Sequence, residues 1–157
     1  MEVRSVEAIV RALNAAEVRY LIVGDLAVNA HGYVRLTRDV DLVLQLDRAN
    51  VTRALNALFE IGYQMAIPAN PETREDWRRN KGMITLKLWS DERQRTPVDI
   101  FVYEPFNFAQ EYDNATALEV CRGLLARVVS LETLVKMKQD AGRPQDLIDI
   151  EELERAR

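Results

Sequence analysis

Apolar residues at Val6, Ile9, Val10 and Leu13 recur at i, i+3, i+4 and i+7, which predicts an amphipathic helix over 5–17 capped by Ser5. The run 20–23 (Tyr-Leu-Ile-Val) is too short for a helix and rich in β-formers, so it reads as a strand. It ends at Gly24-Asp25 and opens into 26–31, a short helix closed by Gly32. Strict alternation follows over 39–46: Val40, Leu42, Leu44 and Leu46 point one way, and Asp39, Asp41, Val43 and Gln45 the other. Asp47 then caps a helix over 48–60, whose buried stripe is Val51, Leu55, Leu58 and Phe59, and Gly62 ends it. A short strand is expected at 63–67, a polar loop at 68–81, and strands at 82–89 and 97–103 joined by a charged turn at 91–96. Strand character returns over 118–129, interrupted by Gly123. Ser130 caps a helix over 130–141 with Leu131, Leu134, Val135 and Lys138 on one face, and Gly142 stops it. A last helix at about 144–155 carries Leu147, Ile148, Ile150 and Leu153. This order predicts an α/β (α+β) fold: a mixed β-sheet flanked by helices, with a helical C-terminus.

The 157 residues suffice for one domain over 1–157, with a core over about 18–129 and C-terminal helices over about 130–155. Hydrophobic residues make up 48% and charged residues 29%, while Gly (6) and Pro (5) are sparse, which excludes collagen-like or disordered character. The net charge of −4 excludes a protein that coats nucleic acid through bulk positive charge. One cysteine, Cys121, and one histidine, His31, exclude a cysteine-rich zinc site and the common two-His and three-His metal sites. A bound metal would therefore be held mainly by oxygen, which points to Mg²⁺ or Mn²⁺. No apolar run approaches 18 residues, and the first residues lack the apolar core of a signal peptide. The expected location is the cytoplasm, with no membrane partner.

The strongest chemical signal is Asp39-Val40-Asp41. In a strand, i and i+2 share a face, so the two carboxylates project together about 6.5–7 Å apart at the backbone. Side-by-side carboxylates repel, and on a half-buried sheet they call for a cation between them. Two divalent ions about 3.5–4 Å apart form the clamp used in phosphoryl and nucleotidyl transfer. The plainer alternative is a solvated strand face. Asp99 lies between Val98 and Ile100, a setting disfavoured by β propensity. Beside 39–46 it completes a three-carboxylate cluster; at a sheet edge it would only discourage aggregation. The turn at Gly24 offers backbone N–H groups to phosphate, and Arg35, Thr37 and Arg38 precede the carboxylates, Arg being suited to polyphosphate. Each of these features alone equally fits a solvated loop.

Gly24-Asp25, then Asp39-Val40-Asp41-Leu42, then a distant Asp99 in an apolar strand resembles the nucleotidyltransferase fold of the DNA polymerase beta superfamily. More closely, Ala27-Val28-Asn29-Ala30-His31-Gly32 and Arg35-Leu36-Thr37-Arg38-Asp39 resemble the small bacterial AbiEii-like nucleotidyltransferases. The tail, Leu134-Val135-Lys136-Met137-Lys138 and then Gly142-Arg143-Pro144-Gln145-Asp146-Leu147-Ile148-Asp149-Ile150, is similar to their closing helices. The resemblance implies that Asp39, Asp41 and Asp99 are catalytic and hold two Mg²⁺ (or Mn²⁺) ions. One ion would bind an NTP. The other would lower the pKa of an acceptor hydroxyl, helped by Asp99 as ligand or base. It implies that Gly24 and the following helix cradle the distal phosphates. Lys136, Lys138 or Arg143 would neutralise leaving charge where the C-terminal helices fold back over the site. Nucleotide binding is expected from Gly24, Asp25, Arg35, Thr37, Arg38, Lys87, Lys136 and Lys138.

Asp25 stands where the family has Gly or Ser. An aspartate there is expected to N-cap the following helix, worth about 1 kcal/mol. It would also repel a triphosphate by about 3 kcal/mol per charge pair at ~5 Å and an effective dielectric near ~20, weakening nucleotide binding about a hundredfold unless a metal or Arg35 and Arg38 offset it. The stretch 74–81, with Trp77 among basic residues, reads either as a grip on RNA or as a solvated loop. Lys87 points either into the cleft or to solvent; His31 packs at a helix end and Cys121 is a small apolar filler. Arg143, Asp146 and Asp149 share a helical face, where pairing within the helix accounts for them. The function implied is transfer of an NMP from an NTP to a hydroxyl on RNA (tRNA) or protein. The setting implied is a bacterial toxin–antitoxin or phage-defence system with a cognate toxin or antitoxin partner. The alternatives are a non-catalytic binding or regulatory module, for which Asp25 speaks, and an aminoglycoside-type small-molecule nucleotidyltransferase.

Overall fold

A computed structural model describes residues 1–66 and 85–157. The polar loop, the 74–81 stretch with Trp77, and the start of the 82–89 strand lie wholly or largely outside the described residues. Among the described residues the helices are α1 (Val3–Ala15), α2 (Gly24–Ala30), α3 (Arg48–Glu60), α4 (Phe108–Asp113), α5 (Leu131–Ala141) and α6 (Pro144–Arg155). The strands are β1 (Tyr20–Val23), β2 (Val40–Leu44), β3 (Gln64–Met65), β4 (Thr85–Trp89), β5 (Val98–Phe101), β6 (Thr116–Cys121) and β7 (Leu124–Val128). They form one mixed sheet in the order β3-β4-β5-β2-β1-β7-β6. β2 runs parallel to β5 and β1 parallel to β7, and the other neighbours are antiparallel.

The centre of this sheet is buried on both faces. All four residues of β1 are buried, as are Val40, Leu42, Val43 and Leu44 of β2, so the alternation seen in 39–46 does not give a solvated face. Asn50, fully buried at the start of α3, clasps the ends of the central strands. Its Nδ2 donates to the carbonyls of Arg19 and Gln45, and its Oδ1 accepts from the Arg19 N–H. A buried amide with its donors and acceptor satisfied fixes the β1–β2 register without leaving a desolvated polar group.

Several local expectations are corrected. Ser5 does not cap α1: the helix begins at Val3, Glu2 holds the N-cap position, and the Glu2 N–H donates to Thr96 Oγ1 at 2.9 Å. Ser5 is buried one turn inside. Phe59 is 40% exposed, because α3 turns the small Ala54 and Ala57 inward beside Val51, Leu55 and Leu58. Leu147 and Ile148 of α6 are exposed too, at 57% and 47%, while Asp146, Asp149 and Leu153 face inward. α4 interrupts a stretch for which no helix is expected; Asn107 caps it by accepting from the Gln110 N–H. Asp47 and Ser130 do cap α3 and α5, and Gly142, in the left-handed region at φ 63°, ends α5.

Candidate active site

The strand register builds the site. Val23 of β1 pairs with Asp41 of β2, Asp41 pairs with Asp99 of β5, and Asp99 pairs with Lys87 of β4. Cross-strand partners share a face, so this row places Asp41, Asp99 and Lys87 on one side of the sheet. Asp39, two residues before Asp41, joins them just ahead of β2. Asp39, Asp41 and Asp99 each offer a carboxylate oxygen within 4.8 Å of the others. The expected proximity of Asp99 to the Asp-x-Asp pair is thus observed, because β5 is the parallel neighbour of β2 rather than an edge strand.

The turn after β1 closes on this cluster. Gly24 has φ 68°, and a Cβ built on it would collide with Asp41 Oδ2. Glycine is needed there on two counts, the left-handed backbone and the close approach of the carboxylate. Asp25 does not N-cap α2: the N-cap position is Val23, with no side-chain cap. Its carboxylate points instead to two cations, Lys138 Nζ and Arg35 Nη2, each 2.8 Å from Oδ1. The unshielded repulsion expected from Asp25 is therefore offset within the fold.

Crowding of like charge sets the electrostatics. Burial raises the Asp41 carboxyl to about 7, reinforced by Asp99, Asp39 and Asp25 and opposed by Lys138. Burial also raises Asp99, against the hydrogen bond and charge of Lys87. Lys87 Nζ lies 3.2 Å from Asp99 Oδ1 and 3.4 Å from Oδ2, and only the longer contact has hydrogen-bond geometry. Among the described residues, the buried Asp99 Oδ1 has no hydrogen-bond donor. Three carboxylates with oxygens within 4.8 Å of one another form an all-oxygen donor set suited to a hard divalent cation.

The carboxylates line a cavity of about 690 Å³. Gly24, Asp25, Asp146, Lys138 and Arg143 share its wall, and Phe101, Tyr103, Pro105, Leu134 and Met137 give it an apolar side. α5 and α6 therefore do fold back over the site. A second hollow of about 600 Å³ between α1 and α3, lined by residues such as Ala8, Ala12, Arg53 and Ala57, lies apart from the carboxylate cluster. Other residues expected to bind nucleotide stand outside the cavity wall. Thr37 is buried with its hydroxyl donating to Met1 Sδ at 3.3 Å, and Arg38 and Lys136 are exposed elsewhere. Arg35 reaches inward only as far as Asp25 and Asp149. His31 behaves as a helix-end residue, its Nε2 2.7 Å from the Val129 carbonyl oxygen.

The pairing of Arg143, Asp146 and Asp149 within their own helix is observed only for the first two, at 2.7 Å. Asp149 turns away to Arg35 Nε at 2.7 Å and Lys138 Nζ at 2.9 Å. These contacts carry Asp149 down to about 2 against its burial. Asp146 and Asp149 as partners of Lys138 were not expected from the sequence. Asp146, Asp149 and Leu153 fall at i, i+3 and i+7 on one helical face, but only the structure marks that face as the buried one.

No protein-family model and no curated protein matches the chain. Solved structures do. The lincosamide antibiotic adenylyltransferase LnuA, bound to lincomycin, matches with a TM-score of 0.62 and 15% identity over 92% of this chain and 90% of its own. ANT(2")-Ia in complex with adenylyl-2"-tobramycin matches with a TM-score of 0.60 and 15% identity over 96% and 86%. An antigenic nucleotidyltransferase-like protein from Paracoccidioides brasiliensis matches with a TM-score of 0.59 and 22% identity over 97% and 75%. These likenesses show the nucleotidyltransferase fold. Among the described residues, no helix is long and apolar enough to cross a membrane.

Proposed function

We propose that this chain is a Mg²⁺- or Mn²⁺-dependent nucleotidyltransferase that moves an NMP from an NTP to a hydroxyl acceptor. One observation carries the reading: Asp39, Asp41 and Asp99 converge from neighbouring parallel strands to within 4.8 Å, against the Gly24 turn. These three carboxylates would hold the divalent ions. Bound there, the ions would offset triphosphate charge and make the acceptor hydroxyl more acidic. Asp99, paired with Asp41 on the neighbouring strand, would serve as ligand or take the hydroxyl proton. The acceptor oxygen would attack the α-phosphorus, the bond to the bridging oxygen would break, and pyrophosphate would leave. Lys138 and Arg143 share the cavity wall and would face the charge of the leaving group. The absence of a side chain at Gly24 lets Asp41 close against the turn.

The acceptor reading supported best is a small hydroxylated molecule. Two of the similar structures are an antibiotic adenylyltransferase and a complex with an adenylylated tobramycin. The apolar wall of Phe101, Tyr103 and Pro105 would give such a molecule a surface to lie on. A hydroxyl on RNA or protein, with a toxin–antitoxin or defence role and a cognate partner, rests on the sequence resemblance to AbiEii-like proteins. The regulatory-module reading rests on Asp25, whose charge is shared with Lys138 and Arg35.

The test is transfer of label from each of four α-³²P NTPs with Mg²⁺ or Mn²⁺. The acceptors are aminoglycosides, lincosamides, and a bacterial lysate containing tRNA. Label in one acceptor class, reduced at least about a hundredfold by Asp41→Asn, supports the reading. Equal labelling by wild type and Asp41→Asn contradicts it.

A further inference from the structure

Asp25, Asp146 and Asp149 meet Arg35, Lys138 and Arg143 in one connected ion-pair network, three carboxylates against three cations. Lys138 is its hub. Its side chain is 5% exposed, and Nζ lies 2.8 Å from Asp25, 3.0 Å from Asp146 and 2.9 Å from Asp149. The three carboxylates differ in freedom. The side chains of Asp146 and Asp149 are 1% and 0% exposed and are held by other groups: Asp146 by Arg143, Asp149 by Arg35 and Gln145. Asp25 is 37% exposed, lines the cavity, and neighbours the turn that packs on Asp41.

We propose that Asp25 is a built-in competitor for incoming phosphate: its carboxylate occupies a place on Lys138 that a nucleotide phosphate takes over when it enters the cavity. This rests on the nucleotide reading above. Asp146 and Asp149 keep Lys138 charged and aimed while Asp25 gives way. Asp25 need not lose its charge partner in the exchange, because Arg35 Nη2 is also 2.8 Å away. Asp25 thus acts as a specificity and affinity residue. Weakly charged anions cannot displace it, whereas a triphosphate can, and nucleotide affinity is held below what the site would otherwise give. Without the Asp25 charge the network keeps two carboxylates against three cations, an excess that favours polyphosphate.

The experiment measures equilibrium binding to wild type, Asp25→Asn and Asp25→Ser, with thermal melting to confirm that each variant is folded. The probes are Mg²⁺ with ATP, GTP, CTP or UTP, inorganic triphosphate, and the matching nucleosides. The expected result is roughly tenfold tighter binding of the triphosphates by both variants, with nucleoside binding unchanged. Unchanged or weaker triphosphate binding in both folded variants would overturn the proposal and make the Asp25–Lys138 contact a structural ion pair only. Absence of Mg²⁺-dependent triphosphate binding in wild type and variants alike would overturn the nucleotide reading itself, and this proposal with it.

Discussion

At the scale of single residues, Gly24 and Asp41 depend on each other. The positive φ of Gly24 is unfavourable for any residue with a Cβ, by about 1–2 kcal/mol. A methyl group there also meets Asp41 Oδ2, an atom fixed by strand β2. Gly24→Ala is therefore expected to lower stability by about 2–4 kcal/mol and to displace the Asp41 carboxylate. Chemical denaturation measures the first effect. Divalent-cation binding, weakened even where the variant remains folded, measures the second. Gly24 was legible in the sequence as a strand-ending turn, but its contact with Asp41 was not, because that contact depends on the antiparallel pairing of β1 with β2. Asp25 illustrates the reverse case. Its position was plain, yet its charge partners come from 10 and 113 residues further along, and no local spacing announces them.

At the scale of elements, α6 is tied to the rest by buried charge as well as by Leu153. Asp149 is fully buried and takes bonds from Arg35, in the segment between α2 and β2, and from Lys138 of α5. Removing its carboxylate leaves two cations with an unfilled partner. Asp149→Ala is therefore expected to destabilise by about 3–5 kcal/mol and to lower the melting temperature by about 10 °C. The acid limb has a defined sign. The Asp149 carboxyl is lowered to about 2, so its contribution is complete above the unfolded value near 3.8 and is lost as pH falls from there towards 2. Melting midpoints across that window should fall less steeply for Asp149→Asn than for wild type. An equal fall would place the acid sensitivity elsewhere. This element also marks the limit of periodicity as a guide. Leu147, Ile148, Ile150 and Leu153 suggest an apolar inner face, but only Leu153 of these is fully buried, since the inner face is taken by Asp146 and Asp149. A stripe of acids facing inward becomes readable only once three cations are known to wait for it. By contrast, α3 and α5 begin where Asp47 and Ser130 indicate, because a cap is a local interaction with the N–H three residues on.

At the scale of the whole molecule, a mixed sheet places the ends of β1, β2 and β5 side by side, and α5 and α6 close over them. The order of elements was readable from hydrophobic patterning. The adjacency of β5 and β2 was not, and it turns a solitary Asp99 into the third member of a cluster. We propose that this cluster is a divalent-metal centre that serves a nucleotide. The measurement that tests it most directly is Mn²⁺ binding, followed by electron paramagnetic resonance, for wild type and Asp41→Asn with and without an NTP. Wild type is expected to bind Mn²⁺ through the triad, the NTP to strengthen this binding at least about tenfold, and Asp41→Asn to lose most of both effects. Mn²⁺ binding that is absent from wild type, or equal in the two proteins and indifferent to nucleotide, would contradict it.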